Sequence, residues 1–243
     1  MLWWAEQAGP REALRAFTGR QGGVSSGDFA GLNLGDHVGD DPAAVAENRS
    51  RLATEVGVAP GRLLFARQVH GTGVAVVDGP WQHGPPEADA MVTATPGLAL
   101  GVLVADCVPV LLHAPEEGVV GVAHAGRRGM ADGVLDAVVG VMRELGATTL
   151  LATVGPSVCA RCYEVPATMR ADVSRRRPVT ASVSWHGTPS LDVAAGVLEQ
   201  LAPHCWDLEQ VRGCTVERDD LYSHRGDGTT GRWAGVAVLR DVP

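Results

Sequence analysis

Apolar positions in this chain fall into two patterns. Apolar, strand-like runs occur in LLFARQVHG, in LALGVLVADC, in CVPVLLHA, in VVGVAH and in RWAGVAVL. Such runs read as strands. Spaced runs describe helices. Residues 40–57 open on Asp-Pro, carry Val45, Leu52 and Val56, and close on Gly57, which predicts a helix. Residues 130–146 place Val134, Leu135, Val138, Val141, Met142 and Leu145 on one face ahead of Gly146 and predict a second; 189–202 predict a third.

Between these lie shorter signals. The Gly, Ser, Asn and Asp density of 17–35 reads as turns between short strands. Residues 62–78 read as two strands around a glycine turn, 81–88 as a loop, 90–93 as a strand, and 150–159 as a strand entering a loop. VRGCTVE and RWAGVAVL read as closing strands separated by a polar loop. The sum is a mixed α/β (α+β) chain without internal repeats. The basic run RADVSRRRPVTA at 170–181 reads as a solvated face rather than a linker, so 1–243 is taken as one domain.

Composition narrows the function. Of 243 residues, 45% are hydrophobic and 20% charged, enough for a sizeable core. The net charge of −8 argues against coating nucleic acid, though not against a small phosphorylated ligand. All 20 basic residues are arginine, which removes lysine Schiff bases and leaves guanidinium forks to recognise anions. Five cysteines are no disulfide framework and fit free thiols in a reducing cytoplasm. No apolar run is long enough to cross a membrane, and MLWWAEQAGPREALR is not a signal peptide.

Three of the strand-like runs stop on metal-binding side chains: His70, Cys107 and His124. Two imidazoles and a thiolate with an open fourth position suit zinc. Strand ends are also where α/β sheets place ligands. Asp106 stands beside Cys107, and Arg127 and Arg128 follow His124 in AHAGRRGM. That segment reads either as a helix N-terminus prepared for an anion or as a plain connection with solvated arginines. CARC at 159–162 is a redox pair or half of a zinc site, but a second CxxC is missing and Cys205 and Cys214 are nine apart. GxSxG occurs once, as GVSSG at 23–27 within the turn-rich segment, and GxGxxG once, as GDGTTG at 226–231 within the polar loop, neither at the strand-to-helix turn that its chemistry needs; GxxxxGK[ST] is absent. His37, His83, His113, His186 and His204 carry no partner pattern.

Seven blocks in order now point to a family: TGRQGGVSSGDFAGLNLGDHVGDDPAAVAENR, RQVHG, ADAMVT, ADCVPVLL, HAGRRG, GPSVCARCYEV and RGDGTTGR. The chain resembles the bacterial family once labelled multicopper polyphenol oxidase or laccase-domain protein, also described as purine nucleoside phosphorylase and as peptidoglycan editing factor. The resemblance implies a layered α-β-β-α fold, shared with a toxin deamidase that uses a Cys–His pair. It implies His70, Cys107 and His124 as metal ligands, holding zinc with copper as the alternative. It implies phosphorolysis of inosine or adenosine, with adenosine deamination and methylthioadenosine phosphorolysis as further activities.

On that reading His70, Cys107, His124 and the acid Asp106 are catalytic. Asn33, Arg49, Arg127, Arg128 and Arg232 are the expected contacts to nucleoside and phosphate. A cytoplasmic monomer is expected, with no nucleic-acid or membrane partner. One position departs from the family: HAGWRG is its usual form, and Arg127 replaces the tryptophan, which bears on substrate preference. Multicopper oxygen reduction fits poorly, because no His-x-His pair occurs. Two other readings are a cell-wall thiol hydrolase, with Cys107 as nucleophile and His124 as base, and a non-catalytic binding protein.

Overall fold

A computed structural model describes residues 1–8 and 13–240. Residues 9–12 and 241–243 belong to the range read as one domain and lie outside the described residues. In chain order the elements are β1 (Leu2–Ala8), β2 (Ala13–Thr18), α1 (Pro42–Glu55), β3 (Leu63–Phe65), β4 (Val74–Val76), β5 (Ala90–Thr93), β6 (Leu98–Val104), β7 (Val108–Ala114) and β8 (Val119–Ala125). There follow α2 (Arg127–Asp132), α3 (Val134–Glu144), β9 (Leu150–Val154), α4 (Ala167–Arg176), β10 (Ala181–Val183), β11 (Pro189–Leu191), α5 (Val193–Leu201), β12 (Cys205–Gln210), α6 (His224–Asp227) and β13 (Trp233–Leu239).

Two large sheets form, ordered β1-β2-β13-β6-β3 and β12-β9-β7-β8-β5-β4, with β10-β11 as a small hairpin. The period-two geometry of strands divides their side chains between three cores. Leu98, Leu100, Val102 and Val104 of β6 meet Leu111 of β7, Val120 and Val122 of β8 and Trp233 of β13 between the sheets. The intervening Ala99, Leu103, Ala234, Val236 and Val238 pack on Leu52, Ala53 and Val56 of α1. On the far side, Val108, Val110, Leu112 and Ala123 pack on Val134, Leu135, Val138 and Met142 of α3 and on Val197 and Leu201 of α5. The layers are therefore α-β-β-α, as the resemblance implies. Burial on both faces is why these strands read as apolar runs.

Helix α1 starts where Asp-Pro predicts: the Asp41 side chain accepts from Ala43 N–H, and Pro42 takes the first helical position. Four expectations are corrected. The helix predicted over 130–146 starts earlier and breaks at Gly133, whose left-handed φ of 97° separates α2 from α3. The strands in 62–78 are not a hairpin; β3 belongs to one sheet and β4 to the other. VRGCTVE forms a loop with a short 3-10 turn, and the strand is the preceding β12. The start of the predicted 189–202 helix is the strand β11. The β1–β2 pairing was not anticipated either.

Sheet crossing positions the site. The chain passes between the sheets from β3 to β4 through His70, and again from β6 to β7 through Asp106 and Cys107. His124 closes β8 in register with Pro109, at the start of β7. All three side chains thus collect at one end of the sandwich. No helix among the described residues is long and apolar enough to cross a membrane.

Candidate metal centre and cavity

The ligand atoms of His70, Cys107 and His124 all lie within 4.8 Å of one another. Cys107 Sγ is 3.7 Å from His70 Nε2, and the two imidazole rings meet edge to face at 4.7 Å between centroids. With zinc bonds of roughly 2.1 and 2.3 Å at a tetrahedral angle, a thiolate and an imidazole nitrogen stand about 3.6 Å apart. The three donors therefore fit one ion while leaving its fourth position open.

Two strained residues flank this centre. His70 (φ 59°) and Asp106 (φ 89°) are the non-glycine residues with left-handed backbone among those described. Such conformations cost about 1–3 kcal/mol and persist only when neighbours hold them. Asp89 holds His70: its buried carboxylate accepts from the backbone N–H of Val69 (3.2 Å), His70 (2.9 Å) and Gly71 (2.6 Å). Asp106 is held from the other side, accepting from Thr215 and Ser223 hydroxyls and from Arg225 N–H, each at 2.6 Å.

Asp89 also reaches the third ligand. His124 Nδ1 lies 2.8 Å from Asp89 Oδ1, with both side chains buried. Burial alone would raise the Asp89 carboxyl, but hydrogen bonds from His124 and the backbone hold it below its ordinary value. An ionised carboxylate only accepts, so Nδ1 carries the proton and Nε2 is free to bind metal. Burial would likewise lower His124; the Cys107 thiolate and Asp89 outweigh it and raise the imidazole to about 9. For Cys107, burial would raise the thiol, whereas His124 and His70 bring it down to about 6. Without metal the centre is a thiolate–imidazolium pair; with metal, the same groups are ready ligands.

Gly126 permits this packing. A Cβ there would lie 2.5 Å from His70 Cδ2 and 3.2 Å from Cys107 Sγ.

The triad opens into a cavity of about 720 Å³, a size suited to a small-molecule ligand. Five arginines line it, Arg49, Arg67, Arg127, Arg225 and Arg232, against the acids Asp36 and Asp106. Arg49 pairs with Asp36 at 3.2 Å and lies over the Phe65 ring. Arg67 pairs with Glu87 at 2.7 Å. Arg225 lies over Tyr163 and donates to Glu164 O. Arg232 donates to the carbonyls of Thr230 and Gly231, and burial lowers its pKa.

The structure thus brings His70, Asp106, Cys107, His124, Arg49, Arg127 and Arg232 to one cavity, and leaves two expected contacts outside it. Asn33 is fully buried. Its amide donates to Gly35 O and Asp40 and accepts from Gly35 N–H and Arg232 N–H, so it positions Arg232 rather than meeting a ligand. Arg128 lines a second, small cavity with Asp132, Asp172 and Arg176, and Arg127 stands between the two, lining both. Its departure follows from α2, where consecutive side chains point in different directions. Asp106, expected as an acid, has its oxygens occupied by three donors and acts as a brace beside Cys107. Asp89, Arg67, Gln68, Tyr163 and Arg225 were not singled out; for Asp89, its place in ADAMVT was the available signal.

Comparison with known proteins places the chain in a family. Residues 14–240 match the family described as multi-copper polyphenol oxidoreductase laccase. A Streptomyces coelicolor protein named purine nucleoside phosphorylase is 53% identical over 92% of this chain and 94% of its own length. A Corynebacterium glutamicum protein of the same name is 44% identical over 94% and 95%. The crystal structure of a Neisseria meningitidis protein superposes with a TM-score of 0.86 at 33% identity, covering 98% of this chain and 99% of that one.

Proposed function

The chain belongs to the multi-copper polyphenol oxidoreductase laccase family, and from that premise we propose that it is a metal-binding purine nucleoside phosphorylase of the cytoplasm. Relatives named for that activity support the reaction. The observation in the molecule that carries it is the five-arginine cavity opening onto His70, Cys107 and His124.

Phosphorolysis joins a phosphate oxygen to C1′ of the ribose while the bond from C1′ to the purine nitrogen breaks. Both electrons of that bond leave with the base, which takes up a proton. The reaction therefore needs a phosphate dianion held beside a sugar that becomes cationic. Arg127 has no ion pair or hydrogen bond within the described residues, so its guanidinium fork is the cation best placed to take phosphate. Arg49 and Arg232 add charge but are held by Asp36 and by backbone carbonyls. Phe65 and Tyr163 offer apolar wall beside them. Asp106 keeps the Cys107 turn in place.

His70, Cys107 and His124 would hold zinc, and the donor set fits: borderline-soft ligands, one buried carboxylate behind two of them, and room for a fourth ligand. Zinc in such a site supplies Lewis acidity and an activated water. That open position also favours adenosine deamination as a second activity. A four-copper oxidase is disfavoured, since the described residues gather histidines into one cluster of this kind.

Incubating the purified protein with inosine, with and without phosphate, tests the proposal. Phosphate-dependent release of hypoxanthine and ribose 1-phosphate is expected; release that ignores phosphate, or none, would reject it.

A further inference from the structure

A second cluster of soft ligands lies outside the chemistry above. Cys159, Cys162, Cys214 and Glu217 place one donor atom each within 4.8 Å of one another. The sequence alone presents only the C-x₂-C pair of CARC. The fold supplies the other half as C-x₂-E, with Cys214 and Glu217 at the same spacing and a carboxylate where a fourth cysteine would stand.

Several features match a tetrahedral ion. Cys162 Sγ is 3.3 Å and Cys159 Sγ 4.0 Å from Glu217 Oε1, bracketing the roughly 3.6 Å between a thiolate and a carboxylate oxygen that share a zinc. All three cysteines are free. The 159–162 segment is a tight turn in which the N–H groups of Cys162 and Tyr163 both donate to Cys159 O at 3.0 Å. Cys214 Sγ accepts from the N–H of Cys159 at 3.4 Å.

We propose that Cys159, Cys162, Cys214 and Glu217 form a second, structural zinc site. Three thiolates and one carboxylate select a borderline-soft ion over magnesium or calcium. All four positions are filled by protein, the arrangement of structural rather than catalytic zinc.

Its place in the fold gives it a task. The cluster ties the loop after β9 to the turn before α6, which otherwise meet through the Ser157–Cys214 bridge. Thr215, next to Cys214, donates to Asp106, and Val158 N–H donates to Asp106 O. Val158 and Tyr163 line the cavity. The ion would thus fix the wall that holds Asp106, and through it Cys107, in position.

Zinc per chain, measured on dialysed protein, tests this. Cys107→Ala, which removes a ligand of the first centre, should still retain about one equivalent, and Cys107→Ala combined with Cys162→Ser should lose it. Cobalt(II) added to metal-free Cys107→Ala protein reads the same site without disturbing it, through thiolate-to-cobalt absorption that weakens in Glu217→Gln. The proposal is overturned if Cys107→Ala holds no zinc and gives no such absorption. It is equally overturned if mass mapping after alkylation finds Cys159 and Cys162 joined as a disulfide in protein purified under reductant.

Discussion

Asp89 and His124 meet at 2.8 Å inside the sandwich, and the same carboxylate gathers three successive backbone N–H groups around His70. One buried acid therefore sets the tautomer of one metal ligand and the left-handed backbone of another. Asp89→Asn keeps the shape but presents an amide to Nδ1, which favours the wrong tautomer. Metal affinity should fall about 10–100-fold, the usual cost of losing such a partner, measured by competition with a chelator. Unchanged affinity would mean that His124 needs no orientation.

In metal-free protein Cys107 should react as a thiolate well below the ordinary range. Its thiol is brought down to about 6 although burial opposes this, because His124 is charged beside it. The sign follows: a depressed acid is ionised above its folded pKa, so alkylation by iodoacetamide should rise through a midpoint near pH 6. His124→Ala leaves only His70 to oppose burial and should move the midpoint upward. Added zinc should protect the wild-type thiol. Mass spectrometry across pH distinguishes these outcomes, and a midpoint above pH 8 in the wild type would contradict the pair.

Much of this was legible in the residues. Leu98–Val104, Val108–Ala114 and Val119–Ala125 are buried on both faces, and hydrophobic runs report that directly. The triad was visible because those runs end on His or Cys. What stayed hidden depends on distant pairing. Cys205–Gln210 mixes half-buried and exposed side chains at a sheet edge, with none fully buried, so its CWDLEQ pattern resembles a loop. Asp89 looks like any acid beside an alanine until β5 pairs with β8 and brings it under His124. Glu217 reads as a surface charge until Cys214 returns to CARC. Asn33 and Arg128 lie outside the lining of the main cavity because burial and helix phase, which the sequence blocks do not display, decide which side chains line it.

His113 makes the fold acid-sensitive away from the site. It is fully buried on β7, and neither ring nitrogen has a hydrogen-bond partner among the described residues. Burial, aided by Arg15, lowers its pKa to about 4. The folded chain then holds fewer protons than the unfolded chain, so stability should fall as pH drops through 6.5 toward 4. The full effect is on the order of 3 kcal/mol. His113→Leu should flatten that part of a urea-melt series against pH; an identical slope in both proteins would show that His113 titrates freely.

Arg127, at the position where the resemblance leads to an expectation of tryptophan, opens α2 and lines the cavity. If its unpaired guanidinium takes phosphate, Arg127→Gln should raise KM for phosphate roughly 10-fold, in line with the loss of a charge-assisted hydrogen bond, with KM for inosine nearly unchanged. Arg127→Trp restores an aromatic wall without the charge and should shift the two constants in opposite directions. Equal changes in both would place Arg127 against the nucleoside instead. Arg128→Gln is the control, since that side chain lines the other cavity and should alter neither constant.

Gly126 offers a probe that leaves every ligand in place. It precedes α2 with an extended φ of −71°, so alanine is compatible with its backbone. The obstacle is contact: a methyl group would lie 2.5 Å from His70 Cδ2, closer than side-chain carbons approach, and 3.2 Å from Cys107 Sγ. His70 is exposed and sits on a strained backbone, whereas His124 and Asp89 are buried, so His70 is the group that must yield. Gly126→Ala should therefore keep its thermal melt within a few degrees, lose metal affinity and lose phosphorolysis together. A rigid core that also failed would instead lower the melt sharply, and retained activity would mean that His70 is dispensable as a ligand. Zinc content, melting temperature and hypoxanthine release on one preparation separate the three results.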